Sequence, residues 1–163
     1  MQTIYLDMDG TIADLYGYKN WLKYIEREDT TPYRECSPLG DIDKLRAVLA
    51  AIGAHVKVIS WAAKDDTMRY RRNVGSAKRR WVKNYLGKDV EVSVIQHGTP
   101  KTCYTNGTGG VAFDDDPDVI EDYKSHGIEA YQVSGIDDIM DILNDVAKTE
   151  LEDARAREER RKR

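Results

Sequence analysis

The chain has 163 residues, 40% of them hydrophobic and 33% charged, with a formal net charge of −4. That length suits one domain able to bury a core, and no apolar run is long enough to span a membrane. Cys36 and Cys103 are the only cysteines and neither has metal-ligand spacing, so free thiols in a reducing compartment are expected. The N-terminus lacks a basic region followed by an apolar stretch, so no secretory signal is expected and cytoplasm is the default location.

The first element is the run Ile4-Tyr5-Leu6, β-branched and aromatic and closed by turn residues. It reads as a strand buried on both faces, as in a parallel sheet. It ends in Asp7-Met8-Asp9-Gly10-Thr11. An Asp-Gly turn needs one aspartate, not two flanking a methionine, and two such carboxylates repel each other unless a cation or a proton separates them. An exposed carboxylate can attack phosphorus, and a second can protonate the leaving alkoxide and later take a proton from water.

Tyr18 to Arg27 has helical spacing, and Thr30 to Gly40, with Pro32 and Pro38, reads as a loop. The cluster Tyr16, Tyr18, Trp21 and Tyr24 suits packing, with stacking on a flat substrate group as the alternative. Asp41 to Ile52 is an amphipathic helix with Asp41 as N-cap and Gly53 as its stop. His55 to Ser60 is the second strand, with Ser60 at its carboxyl end.

Lys64 to Leu86 is helical, with a break expected near Gly75. In its second half Ala77, Trp81-Val82 and Tyr85-Leu86 form the apolar face, with Lys78, Arg79 and Lys83 read as lying away from it. Lys64 to Lys88 holds nine basic residues against Asp65 and Asp66, a net of +7. A solvated basic face accounts for this, and a patch attracting phosphorylated or polymeric substrates is the sharper alternative.

Glu91 to Ile95 is a third strand, followed by a glycine-rich loop containing Lys101. Val111-Ala112-Phe113 is a fourth, followed by Asp114-Asp115-Asp116-Pro117-Asp118. Pro117 suits a first helical position and Asp116 its N-cap, which leaves Asp114 and Asp115 at the strand tip without a structural role. Val119 to His126 is a helix, Glu129 to Val133 a fifth strand, and a last helix starts at Ile136. From Glu152 to Arg163 six bases face four acids and no large apolar residue remains, so a charged helical extension or frayed tail is expected over 151–163.

The apolar strand followed by Asp7-Met8-Asp9-Gly10-Thr11 resembles motif I of the haloacid dehalogenase (HAD) superfamily. The strand ending in Ser60 is similar to motif II, and Asp114-Asp115 to motif IV. Lys101 is favoured for motif III, with Lys78 the rival. The stretches Lys78 to Gly87 and Asp114 to Asp118 also resemble segments of the 5′(3′)-deoxyribonucleotidases.

The resemblance implies an α/β, Rossmann-like fold: a five-stranded parallel sheet of order 5-4-1-2-3 with helices on both faces. One catalytic domain over 1–150 is expected, with residues 16–40 as a minimal cap or an open face. It also implies a Mg²⁺-dependent phosphomonoesterase with Asp7 as nucleophile, Asp9 as acid/base and Lys101 as the neutralising lysine. Asp9, Gly10, Ser60, Trp61 and Lys101 would bind phosphate; Asp7, Asp115 and the Asp9 carbonyl would coordinate the metal, with Asp114 binding it through water or orienting its neighbours. The expected substrate is a small phosphorylated molecule, most simply a nucleotide. The end of a nucleic acid is the alternative, a non-catalytic binder of a phosphorylated ligand the further one. A homo-oligomer whose neighbouring subunit supplies the cap is also compatible.

Overall fold

A computed structural model of the chain describes residues 2–146 apart from 65 and 108. Five strands, β1 (Thr3–Leu6), β2 (His55–Trp61), β3 (Glu91–Ile95), β4 (Val111–Asp114) and β5 (Glu129–Gln132), form one parallel sheet in the order β3-β2-β1-β4-β5. This is the expected order read from the other edge.

Strand β1 is central, pairing with β2 (Leu6 opposite Val58) and with β4 (Leu6 opposite Phe113). Its residues alternate between two cores, because a strand's side chains point to opposite faces in turn. Ile4 and Leu6 join Val58, Val111 and Phe113 in the larger cluster. Tyr5 joins Ile59 and Ala112 in the other. Both faces of β1 are covered, which is why it shows no polar alternation.

The larger cluster is closed by helix α3 (Ile42–Ala51), by α4 (Met68–Tyr85) and by the helix at 136–146 (α6). Asp41 caps α3, accepting the Lys44 N–H at 3.0 Å. The opposite face is covered by α5 (Pro117–Ser125) through Val119, Ile120 and Tyr123. Between β1 and α3 lie two short helices, α1 (Trp21–Glu26) and α2 (Thr31–Glu35).

Several expectations are corrected. The span from Thr30 to Gly40 is not all loop: α2 occupies Thr31–Glu35, with Pro32 in its first turn, where a missing N–H costs nothing. Helix α4 runs unbroken through Gly75, which is buried. A Cβ there would come within 3.0 Å of the Arg79 guanidinium and 3.8 Å of the Val94 Cβ. A helical glycine costs only ~1 kcal/mol, too little to break a helix held by the buried residues on its inner face. Lys78 does not face solvent but is fully buried on the inner side of α4. The expected tail at 151–163 lies outside the described residues.

Candidate active site

All the acidic residues singled out at strand tips converge at the carboxyl edge of the sheet, where open α/β folds place ligands. Asp7 follows β1 directly, its N–H donating to the Phe113 carbonyl at 2.9 Å. The chain then wraps round one carbonyl: the N–H groups of Thr11, Ile12 and Ala13 all reach Met8 O, at 3.3, 3.0 and 2.8 Å. Gly10 sits inside this turn with φ +79°, and a Cβ on it would lie 2.5 Å from Asp115 Oδ2 and 2.7 Å from the Tyr16 ring. Only glycine combines that backbone with that closeness.

Two lysines enter the acidic cluster. Lys101 opens a 3₁₀ turn, Lys101–Tyr104, and is buried. Its Nζ donates to Asp7 Oδ1 and to Asp114 Oδ2, both at 2.6 Å. Burial alone would lower its pKa, but these two carboxylates more than reverse that and raise it. Lys78 enters from α4. Its Nζ lies 2.5 Å from Asp9 Oδ2, 2.9 Å from Ser60 Oγ and 2.6 Å from the Trp61 carbonyl, with the Tyr33 ring at 5.0 Å. Trp61 closes β2: its indole N–H donates to Thr99 O at 2.8 Å, and its ring lies 5.0 Å from Lys101 Nζ.

The carboxylates outnumber these cations. Burial first, and then the charge of Asp7, raise Asp114 to about 7 and Asp115 to about 6. Asp9 is also raised, by burial first and by Asp7, with Lys78 opposing. Its Oδ1 is buried without a hydrogen-bond partner among the described residues. Asp7, Asp114 and Asp115 each offer an oxygen, all within 4.8 Å of one another. An all-oxygen donor set with surplus negative charge fits a hard divalent cation such as Mg²⁺. Asp116 stands apart from that set as the N-cap of α5, accepting the Asp118 N–H at 2.9 Å.

The carboxylates form the floor of a cavity of about 550 Å³. Its outer wall is aromatic and comes from the segment between β1 and α3, through Tyr16, Trp21 and Tyr33, together with Tyr70 of α4. The aromatic cluster therefore divides. Tyr16 and Trp21 meet edge to face at 5.2 Å and line the cavity. Tyr18 pairs with Tyr24 at 5.9 Å and donates its hydroxyl hydrogen to Glu35.

Sequence reasoning treated Lys78 as a rival to Lys101, whereas both contact the cluster. The missed signal is its phase: three and four positions before Trp81 and Val82, Lys78 shares their helical face. Tyr33, Tyr70 and Asp66 in the cavity wall carried no motif that would mark them.

A parallel five-stranded sheet with an acidic, lysine-bridged cavity at the carboxyl edge of its central strand is a Rossmann-like α/β architecture. No family model matches the sequence, and no curated protein does. Among solved structures, a hydrolase from Streptococcus pneumoniae TIGR4 is similar over 88% of this chain and 98% of its own, with 12% identity and a TM-score of 0.56. D,D-heptose 1,7-bisphosphate phosphatase from Burkholderia thailandensis is similar over 78% of this chain and 75% of its own, with 13% identity and a TM-score of 0.51. At such identities the likeness establishes the shared fold.

Proposed function

We propose that the protein is a Mg²⁺-dependent phosphomonoesterase that works through an aspartyl-phosphate on Asp7 and acts on a nucleoside monophosphate. The observation that carries this reading is the grouping of Asp7 with Lys101, Asp114 and Asp115 beside a separately held Asp9.

An Asp7 carboxylate oxygen attacks phosphorus in line with the ester oxygen, which leaves with a proton from Asp9. Water then gives its proton to the Asp9 carboxylate as its oxygen attacks the same phosphorus, which frees inorganic phosphate and restores Asp7. Lys101 neutralises the nucleophile's surroundings, while Ser60, Gly10 and the backbone N–H of Trp61 form the phosphoryl cradle. Lys78 fixes Asp9 and Ser60 relative to each other. Asp7, Asp114, Asp115 and the Asp9 carbonyl would hold Mg²⁺, whose charge would let a phosphate dianion approach these acids.

The aromatic wall of Tyr16, Trp21, Tyr33 and Tyr70 supports a flat leaving group, and the cavity lies within the range of small-molecule sites. That wall also narrows the mouth, which favours a monophosphate over a polynucleotide end.

The test is phosphate release, with Mg²⁺ and with excess EDTA, from nucleoside monophosphates, sugar phosphates and a 3′-phosphorylated oligonucleotide. Release only with Mg²⁺, fastest from nucleoside monophosphates, is expected. No release from any monoester would sink the hydrolase reading, and release confined to sugar phosphates would sink the nucleotide.

A further inference from the structure

Helix α4 has a second face that the active site does not use. Its inner side carries Tyr70, Val74, Ala77, Lys78, Trp81 and Val82, all buried. At 100° per residue its exposed positions, Met68 included, share an arc of about 160°. Five of them are cations: Arg69, Arg72, Arg79, Arg80 and Lys83. The others are Met68 at the helix start and the neutral hydrogen-bonding residues Asn73, Ser76 and Asn84. No acid occurs anywhere in α4.

Among the described residues, none of these five cations forms an ion pair, whereas Arg71, beside the arc, is bound by Asp66 at 2.8 Å. The stripe belongs to no general surplus of basic charge, because the chain as a whole carries −4. It runs along one straight helix for about 21 Å from Arg69 to Lys83, at 1.5 Å per residue.

We propose that the outer face of α4 docks the phosphate backbone of a nucleic acid, without reading its sequence. Arginine, lysine, asparagine and serine are the side chains that contact phosphate oxygens, and a row of unpaired cations complements a row of phosphates. An anionic membrane surface fits less well. It calls for apolar side chains among the cations, and the one exposed large apolar residue of α4 is Met68, at its first position. Lys78 points to the opposite side, so docking here leaves the cavity free. The inference does not depend on the catalytic reading.

The test uses the full chain and a fluorescein-labelled 20-base-pair duplex with hydroxyl groups at both ends, so that no terminal phosphate can engage the cavity. At 50 mM salt, anisotropy should report micromolar binding. Its log K should fall linearly with log salt, with a slope of about −3 to −4.5 for three to five phosphates neutralised. The variant Arg72→Glu/Arg80→Glu/Lys83→Glu should bind at least about twentyfold more weakly, with an unchanged thermal midpoint, since all three side chains are exposed. The milder Arg72→Gln/Arg80→Gln/Lys83→Gln should lose about tenfold and reduce the slope, and it stands in if the charge reversals disturb folding. Absence of binding at 50 mM salt overturns the proposal. So does binding that both variants retain, which would assign it to other basic residues. Binding to phosphatidylserine vesicles, with none to the duplex and with the same loss in the variants, would assign the stripe to a membrane instead.

Discussion

Lys78 and Asp9 stand 69 positions apart in the chain and 2.5 Å apart in the fold. The Lys78 side chain is fully buried and that of Asp9 is 15% exposed, so each is the other's main counter-charge. Removing one partner of such a pair is more damaging than removing both, because the survivor is left charged in a poorly solvated site. Lys78→Met should therefore cost about 3–5 kcal/mol of stability. Adding Asp9→Asn to that variant should recover much of the loss. Urea midpoints of the four proteins in the cycle check this, and strictly additive effects would mean that the two groups do not support each other.

Asp7→Asn should leave the fold intact and lower kcat at least a hundredfold, about 3 kcal/mol of barrier, because an amide cannot carry the phosphoryl group. Asp9→Asn should lower kcat with little change in KM, as loss of an acid/base group does. Steady-state kinetics on the best monophosphate substrate decides both. A raised KM with unchanged kcat in either variant would place that residue in binding alone.

The raised carboxyls make a pH prediction for the metal-free protein. An acid whose pKa is higher in the folded state than in the unfolded state binds protons more tightly when folded. Its contribution to stability is therefore greatest at low pH and is lost as pH rises. With Asp115 at about 6 and Asp114 at about 7, against an ordinary 3.8, the window runs from about pH 4 to 7. In EDTA the thermal midpoint should fall between pH 5 and 8, with a shallower fall in Asp115→Asn. Mg²⁺ should raise the midpoint more at pH 8 than at pH 5, because the ion competes with those protons. A Mg²⁺ effect independent of pH would argue against these carboxylates as its ligands.

Asp115 and Asp116 are neighbours with separable assignments. Asp116→Ala removes the cap of α5 and should cost about 1 kcal/mol of stability with an ordinary Mg²⁺ requirement. Asp115→Ala should raise the Mg²⁺ concentration needed for half-maximal activity. Titrating activity against Mg²⁺ in both variants tests this, and the reverse order would shift the metal site by one residue.

The fold was largely legible because the strands are short, apolar and each closed by turn residues. A buried parallel sheet leaves that pattern in a sequence. The aspartates were legible for a related reason: two acids at the tip of an apolar strand have no packing role. Lys78 was misread by its charge. Three and four positions before Trp81 and Val82, it lies on their buried face whether or not the helix breaks at Gly75, and its partner Asp9 is 69 positions away in the chain. The contacts of Tyr33 and Tyr70 were not legible, since they depend on how the segment between β1 and α3 folds back over α4.

That segment is tied to α4 at three places. The Trp81 indole N–H donates to the Cys36 carbonyl at 2.8 Å, and the Tyr70 hydroxyl to the Asp29 carbonyl at 3.2 Å. The Thr67 N–H donates to Glu28 Oε1 at 3.3 Å. The part of the covering segment from Glu28 to Cys36 is thus fastened to the same helix that carries Lys78. In amide hydrogen exchange it should open together with α4 as a single cooperative unit, not fluctuate as an independent flap. On its Tyr33 side the cavity entrance is then framed by a stretch bound to α4, while Tyr16 and Trp21 lie before the first of these ties.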